Sequence, residues 1–124
     1  GARKVIMGGP LMGLAQPGLD VPVVKGTSGI VVLTEDEIKA EKALICIGCG
    51  SCVDVCPMFL LPTRIANYSK HDLTEKAEHF GVMDCIECGC CTYVCPSKIH
   101  LVQWIRYGKG KVTEKRKKIT VSNI

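Results

Sequence analysis

The pattern of apolar and polar positions changes twice along the chain. In residues 1–33 the apolar positions form two short β-type runs, Val21–Lys25 and Gly29–Leu33, set among Gly and Pro, with a turn cluster at Gly8-Gly9-Pro10-Leu11-Met12-Gly13. A stretch this short cannot bury a core of its own, and the chain opens at Gly1 rather than Met. Residues 1–33 therefore read as a β/loop remnant of a preceding domain in a longer protein.

From residue 34 the apolar period becomes helical. Thr34-Glu35-Asp36-Glu37 has the form of a capping box with acidic residues in the first turn, and it predicts a helix from Thr34 to about Leu44. Pro62 suits the first position of a helix over Thr63–Ser69, and Asp72-Leu73-Thr74-Glu75 predicts a cap for a further segment ending near Gly81. In Ile99–Tyr107, Leu101, Trp104 and Ile105 recur at helical spacing, with Gly108 as the expected stop. The expected organisation is a mainly α domain over 34–108, preceded by the β/loop segment 1–33 and followed by a basic tail, 109–124. The apolar residues of Ile99–Tyr107 are expected to shield whatever the domain holds.

Cysteine supplies the candidate chemistry. Eight of the nine fall into two copies of one pattern, Cys46-x2-Cys49-x2-Cys52-x3-Cys56-Pro57 and Cys85-x2-Cys88-x2-Cys91-x3-Cys95-Pro96. This is the ligand spacing of a two-cluster bacterial ferredoxin, in which the cysteine before the proline ligates the other cluster. One [4Fe–4S] centre is thus expected on Cys46, Cys49, Cys52 and Cys95, and the second on Cys85, Cys88, Cys91 and Cys56. A turn of helix between Cys52 and Cys56 places the centres on the order of 10 Å apart, short enough for electron hopping. The prolines stop any helix from running through the fourth cysteine. The small residues Gly48, Gly50, Ser51 and Gly89 let backbone amides approach the cluster sulfurs and help set the potential.

Structural zinc accounts for paired CxxC motifs less well, because it leaves the third and fourth cysteine of each copy and both prolines unexplained. A disulfide framework is poorer still, since nine is odd. Cys90 is the spare and reads as a small packed residue. The formal charge of +4 says nothing about nucleic acid, because ligation by eight thiolates around two cationic cores brings the oxidised holoprotein near neutrality. Cluster thiols imply a reducing compartment. No apolar run approaches the roughly 20 residues of a membrane span, and no secretory signal is visible.

Other features read more weakly. Gly8–Gly13 lacks the Gly-Lys-Ser/Thr of a phosphate loop and is expected to be a turn. His71 and His79 read as exposed polar residues, and no histidine is needed as a ligand. Tyr93 is either a shield for the second centre or ordinary core. The run Arg106 to Lys118, with only Glu114 opposing its positive charges, is either a solvated, partly disordered tail or a docking element for anionic lipid or an acidic partner.

The helical insert between the motifs resembles the α-helical ferredoxin domains of multi-subunit oxidoreductases. A more specific resemblance rests on Met7-Gly-Gly-Pro-Leu-Met-Gly13, Val24-Lys-Gly-Thr-Ser-Gly-Ile30, the two cysteine motifs from Cys46 to Met58 and from Asp84 to Lys98, and Leu61-Pro-Thr63. Over about residues 5 to 108 these strings resemble the RnfC family, the C subunits of Rnf electron-transport complexes. The resemblance implies a peripheral subunit on the cytoplasmic side of the cell membrane, in an ion-translocating NAD(H):ferredoxin oxidoreductase of the translocase class. Two [4Fe–4S] clusters would pass single electrons between a flavin domain and another redox subunit, an iron–sulfur subunit above all. FMN is expected only in the upstream part of the parent protein. This chain would be an electron-transfer module without a catalytic residue or substrate site of its own. Two alternatives are the cluster domain of a flavin-containing corrinoid reductase and a freestanding ferredoxin-type carrier.

Overall fold

The apolar run Val5-Ile6-Met7, bounded by Gly8-Gly9, lies in the central strand of an antiparallel sheet of order β2-β1-β3. Its strands are β1 (Ala2–Met7), β2 (Leu14–Ala15) and β3 (Ile30–Thr34). The computed structural model describes residues 1–38 and 42–122. The chain separates into two compact units, Gly1–Lys42, which contains this sheet, and Ala43–Ile124.

Register in the first unit pairs Ile6 with Ala15 on one side and with Val31 on the other. The expected turn at Gly8–Gly13 is present: the Gly8 N–H donates to the Gly29 carbonyl at 2.8 Å and the Gly13 N–H to the Gly9 carbonyl at 2.7 Å. Glycine is required at 13, where an added Cβ would lie 2.4 Å from the Ile6 side chain. Among the described residues of this unit Ile6 is the buried hydrophobe, in keeping with a segment that has little core.

Two expectations for this unit are corrected. Val21–Lys25 is not a strand. Pro22 within the run has no N–H to offer a ladder, and the run ends in a turn where the Thr27 N–H donates to the Val24 carbonyl at 3.0 Å. The helix expected over Thr34–Leu44 is a single 3-10 turn, Glu35–Glu37, after which Ile38 is extended. Its capping interaction is real, since the Thr34 N–H donates to Glu37 Oε2 at 2.8 Å, but the cap starts a turn that the described residues on either side do not prolong. Residues 39–41 lie outside the described residues.

The second unit is helical: α1 (Ser51–Val55), α2 (Pro62–Lys70), α3 (Thr74–His79), α4 (Cys90–Val94) and α5 (Leu101–Ser122), with a 3-10 turn at Val82–Asp84. Its core gathers Ile65 and Ala66 of α2, Ala77 of α3, Val82, and Leu101, Val102, Ile105 and Val112 of α5. The two insert helices form as expected, with Pro62 at the start of α2. Asp72, however, caps nothing. It sits in the left-handed region at φ 56° and its carboxylate accepts a hydrogen bond from the Tyr107 hydroxyl at 2.7 Å.

The stop expected at Gly108 does not occur, and α5 runs on for 22 residues in all. Gly108 marks a close helix crossing instead: a Cβ there would lie 2.0 Å from Ser69 Oγ of α2. Within the continuation, Glu114–Lys118 is a run of good helix formers. It is tied to α3 by Lys115 to Glu75 at 3.1 Å and Arg116 Nε to Glu78 at 3.0 Å. Residues 109–122 are thus part of α5. The observed division falls at 42/43, beside expected boundaries of 33/34 and 108/109. Among the described residues no helix is long and apolar enough to cross a membrane.

Candidate metal centre

The two cysteine motifs repeat one backbone path. Gly48 and Glu87 occupy equivalent places between the first and second cysteines, at φ 71° and 57°. Gly50 and Gly89 are the left-handed residues that open α1 and α4, at φ 73° and 80°. Each helix then ends at an extended fourth cysteine, Cys56 or Cys95, ahead of its proline. Phe59 and Lys98 return to positive φ, 55° and 56°. Left-handed residues turn successive N–H groups to the inside of a loop. The Gly48 N–H thereby points at Cys46 Sγ at 3.4 Å, the Glu87 N–H at Cys85 Sγ at 3.3 Å, and the Leu60 N–H at Cys56 Sγ at 3.4 Å.

The packing of α1 against α4 brings each fourth cysteine to the opposite motif. Cys46, Cys49, Cys52 and Cys95 line one cavity of about 400 Å³ together with Leu61, Thr63, Ile99 and Leu101. Cys56, Cys85, Cys88 and Cys91 line a second, narrow cleft of about 20 Å³ with Leu60, Ile65, Val102 and Ile105. The lining residues divide along the crossed sets named from the spacing, but among the described residues no three His, Cys, Asp or Glu side chains are gathered closely enough to hold a metal ion. Ser97 helps fasten the crossing, because its hydroxyl donates to the Ile45 carbonyl at 2.8 Å and its own carbonyl accepts from the Leu44 N–H at 2.8 Å. Cys90 is half-buried and lines neither space.

The donor set fits an iron–sulfur group. Four soft thiols around an apolar wall, with N–H groups aimed at sulfur, match its demand for thiolate ligands and hydrogen-bonded sulfurs. The first cavity has room for it, whereas the narrow cleft must spread, and Ile86 on its rim is exposed. The two sets differ electrostatically. Cys46 and Cys49 are exposed, and the hydroxyl and N–H of Ser51 pull the Cys49 thiol down from its ordinary value. Burial pushes Cys91 up to about 11. It also raises Cys85, against the hydrogen bond from the Glu87 N–H and the charge of Lys109. Binding iron releases such protons, so Cys85 and Cys91 depend on the metal to become ionised.

Shielding by Ile99–Tyr107 takes a divided form. Ile99 and Leu101 wall the first cavity and Val102 and Ile105 the second, while Trp104 faces a groove of about 900 Å³ that adjoins the first cavity at Cys46 and is also lined by Arg64, Lys70 and His100. Tyr93 is exposed and belongs to neither the core nor a cavity wall. His71, His79 and His100 are exposed and stand apart from both cysteine cavities. Several residues at the site carry no motif. Thr63 Oγ1 is 3.0 Å from Cys52 Sγ, and Lys109 Nζ donates to the Cys85 carbonyl at 2.6 Å. For Glu87 a signal does exist, since it replaces the Gly48 of the other motif.

A family model for a 4Fe–4S dicluster domain matches residues 45–99. The chain is 50% identical over 81 residues to the C subunit of the Na(+)-translocating ferredoxin:NAD(+) oxidoreductase complex of Acetobacterium woodii, a match covering 65% of this chain and 18% of that protein. It is 46% identical over 82 residues to the C subunit of the proton-translocating ferredoxin:NAD(+) oxidoreductase complex of Clostridium ljungdahlii, covering 65% and 18%. With the C subunit of the ion-translocating oxidoreductase complex of Methanosarcina acetivorans it shares 46% identity over 77 residues, 62% and 17%. The matches span less than a fifth of the length of each of these relatives. The chain is therefore a homologue of the C subunits of ion-translocating oxidoreductase complexes, and its residues 45–99 are a 4Fe–4S dicluster domain.

Proposed function

We propose that this chain is the electron-relay part of an ion-translocating ferredoxin:NAD oxidoreductase complex, passing single electrons through two [4Fe–4S] centres. Cys46, Cys49, Cys52 and Cys95 hold one centre, and Cys85, Cys88, Cys91 and Cys56 the other. The observation that carries this reading is the sorting of eight cysteines into two cavities, each completed by the cysteine before proline of the opposite motif. The relay connects an FMN-bearing upstream domain of the parent protein to a neighbouring iron–sulfur subunit. NAD(H) and ferredoxin are reached through the complex, which holds this subunit peripherally on the cytoplasmic face of the membrane.

The bound clusters supply one-electron exchange without breaking a substrate bond. The chain's own residues do the rest. The thiolates fix the positions of the centres, while the N–H groups of Gly48, Glu87 and Leu60 bond to sulfur and stabilise added negative charge. Leu101, Val102 and Ile105 are almost fully buried and exclude water from the inner wall. Exposed Cys46 and Cys49 leave the first centre nearest the surface, where a partner can approach.

Iron and acid-labile sulfide on anaerobically purified protein, with EPR after dithionite reduction, tests the reading. The expected result is about eight of each per chain. Cys56→Ser should alter the centre bearing Cys85, Cys88 and Cys91. Stoichiometric zinc without iron, or an effect of Cys56→Ser confined to the centre bearing Cys46, overturns it.

A further inference from the structure

Because the two motifs share one backbone path, a chemical difference at an equivalent position marks a difference between the sites they build. Gly48 and Glu87 are such a pair, and both are left-handed. Glycine adopts that conformation freely, whereas glutamate rarely does. Glu87 is held there by α5. Arg106 Nε donates to Glu87 Oε1 at 2.9 Å, and Lys109 Nζ lies 3.4 Å from Glu87 Oε2 while donating to the Cys85 carbonyl at 2.6 Å. The side chains of Arg106, Lys109 and Glu87 are 20%, 24% and 33% exposed, so solvent screens this cluster less than a surface pair. Gly48 has no side chain through which the first loop could be anchored in this way.

Resting on the relay function proposed above, we propose that Lys109, seated on Cys85 by Glu87 and Arg106, is a positioning residue that raises the reduction potential of the second centre selectively. Reduction adds one negative charge to the centre. A cation fixed against the backbone of one of its ligands stabilises the reduced form over the oxidised one. The contact also orients the loop, since Lys109 reaches across from the middle of α5 to the first cysteine of the motif.

Redox titration of the cluster-loaded full-length protein, followed by EPR with the second centre assigned through Cys56→Ser, tests the proposal. In Lys109→Gln the reduced-to-oxidised ratio of the second centre at fixed potential should fall about tenfold, equivalent to ~59 mV for one electron, with the first centre unmoved. Lys109→Arg should restore it. Arg116→Gln, which breaks a pair with Glu78 further along α5, should move neither. An unchanged second centre in Lys109→Gln, or equal shifts of both centres, overturns the proposal. Loss of the second centre in both Lys109 variants also overturns it, by reducing Lys109 to a structural clamp. If the unsubstituted protein shows no iron–sulfur signal at all, the relay function itself fails.

Discussion

Gly108→Ala sets two effects of opposite sign against each other. In an exposed helix interior the change should stabilise by about 1 kcal/mol, because alanine has less backbone entropy to lose. At this position, however, the new methyl would lie 2.0 Å from Ser69 Oγ and 2.6 Å from Ser69 Cβ, far inside the roughly 3.5–4.0 Å at which heavy atoms rest in contact. Ser69 cannot swing aside cheaply, since it is buried and its hydroxyl donates to the Ile65 carbonyl at 2.7 Å. Overpacking costs about 1–3 kcal/mol, and a clash with both the Cβ and the hydroxyl belongs at the upper end. The net should be destabilisation by about 2 kcal/mol, a fall in Tm on the order of 8–16 °C for a unit of this size. Thermal unfolding followed by far-UV CD, on protein matched for iron content, measures it. In a Ser69→Gly background the obstructing atoms are gone, and Gly108→Ala should there turn stabilising. A higher Tm for Gly108→Ala alone would refute the close crossing of α2 and α5.

The same helix supplies a control: a methyl added at Gly110 would meet nothing within 4 Å, so Gly110→Ala should raise Tm by several degrees, read in the same assay. Stripping iron with a chelator under anaerobic conditions should abolish the cooperative thermal transition of the second unit, because its cysteines lose the metal that holds them together; a native-like near-UV CD spectrum after stripping contradicts this. The Asp72 carboxylate beside the Tyr107 hydroxyl holds that phenol above its ordinary value. A raised value stabilises the fold fully below the unfolded pKa near 10 and loses that contribution as pH rises through the folded one. Tm measured from pH 8 to 11 should therefore fall more steeply in the native sequence than in Tyr107→Phe.

The two cysteine motifs are legible in the chain because their spacing is a local, covalent property, whereas which side chains line one cavity is a matter of tertiary packing. Helix α2 is equally plain from Pro62. The features that escape a local reading share a cause. Gly108 looks like a stop until Ser69 on another helix makes the small residue necessary for packing. The basic run beyond it looks like a free tail until Glu75 and Glu78 of α3 are placed opposite. The valines of Val21–Lys25 suggest a strand although Pro22 denies it a ladder, whereas β1 draws no such attention although Val5-Ile6-Met7 is flanked by a glycine pair. Lys109 has no local signal at all, since its partner Cys85 lies 24 positions away.

The Ser97 contact to Ile45 joins residues 52 positions apart, and the first cavity is finished by Cys95. A chain emerging from the ribosome presents Cys46, Cys49 and Cys52 long before that wall exists. Closing a loop of this length has an entropic cost of about 3.5 kcal/mol, and neither half can recover it without the other. Each pocket borrows one cysteine from the opposite motif, so neither is complete while only the first motif has been made. On the crossed ligation proposed above, the first set is incomplete until Cys95 is made and the second until Cys91, so a chain ending before Cys91 should leave both sets open.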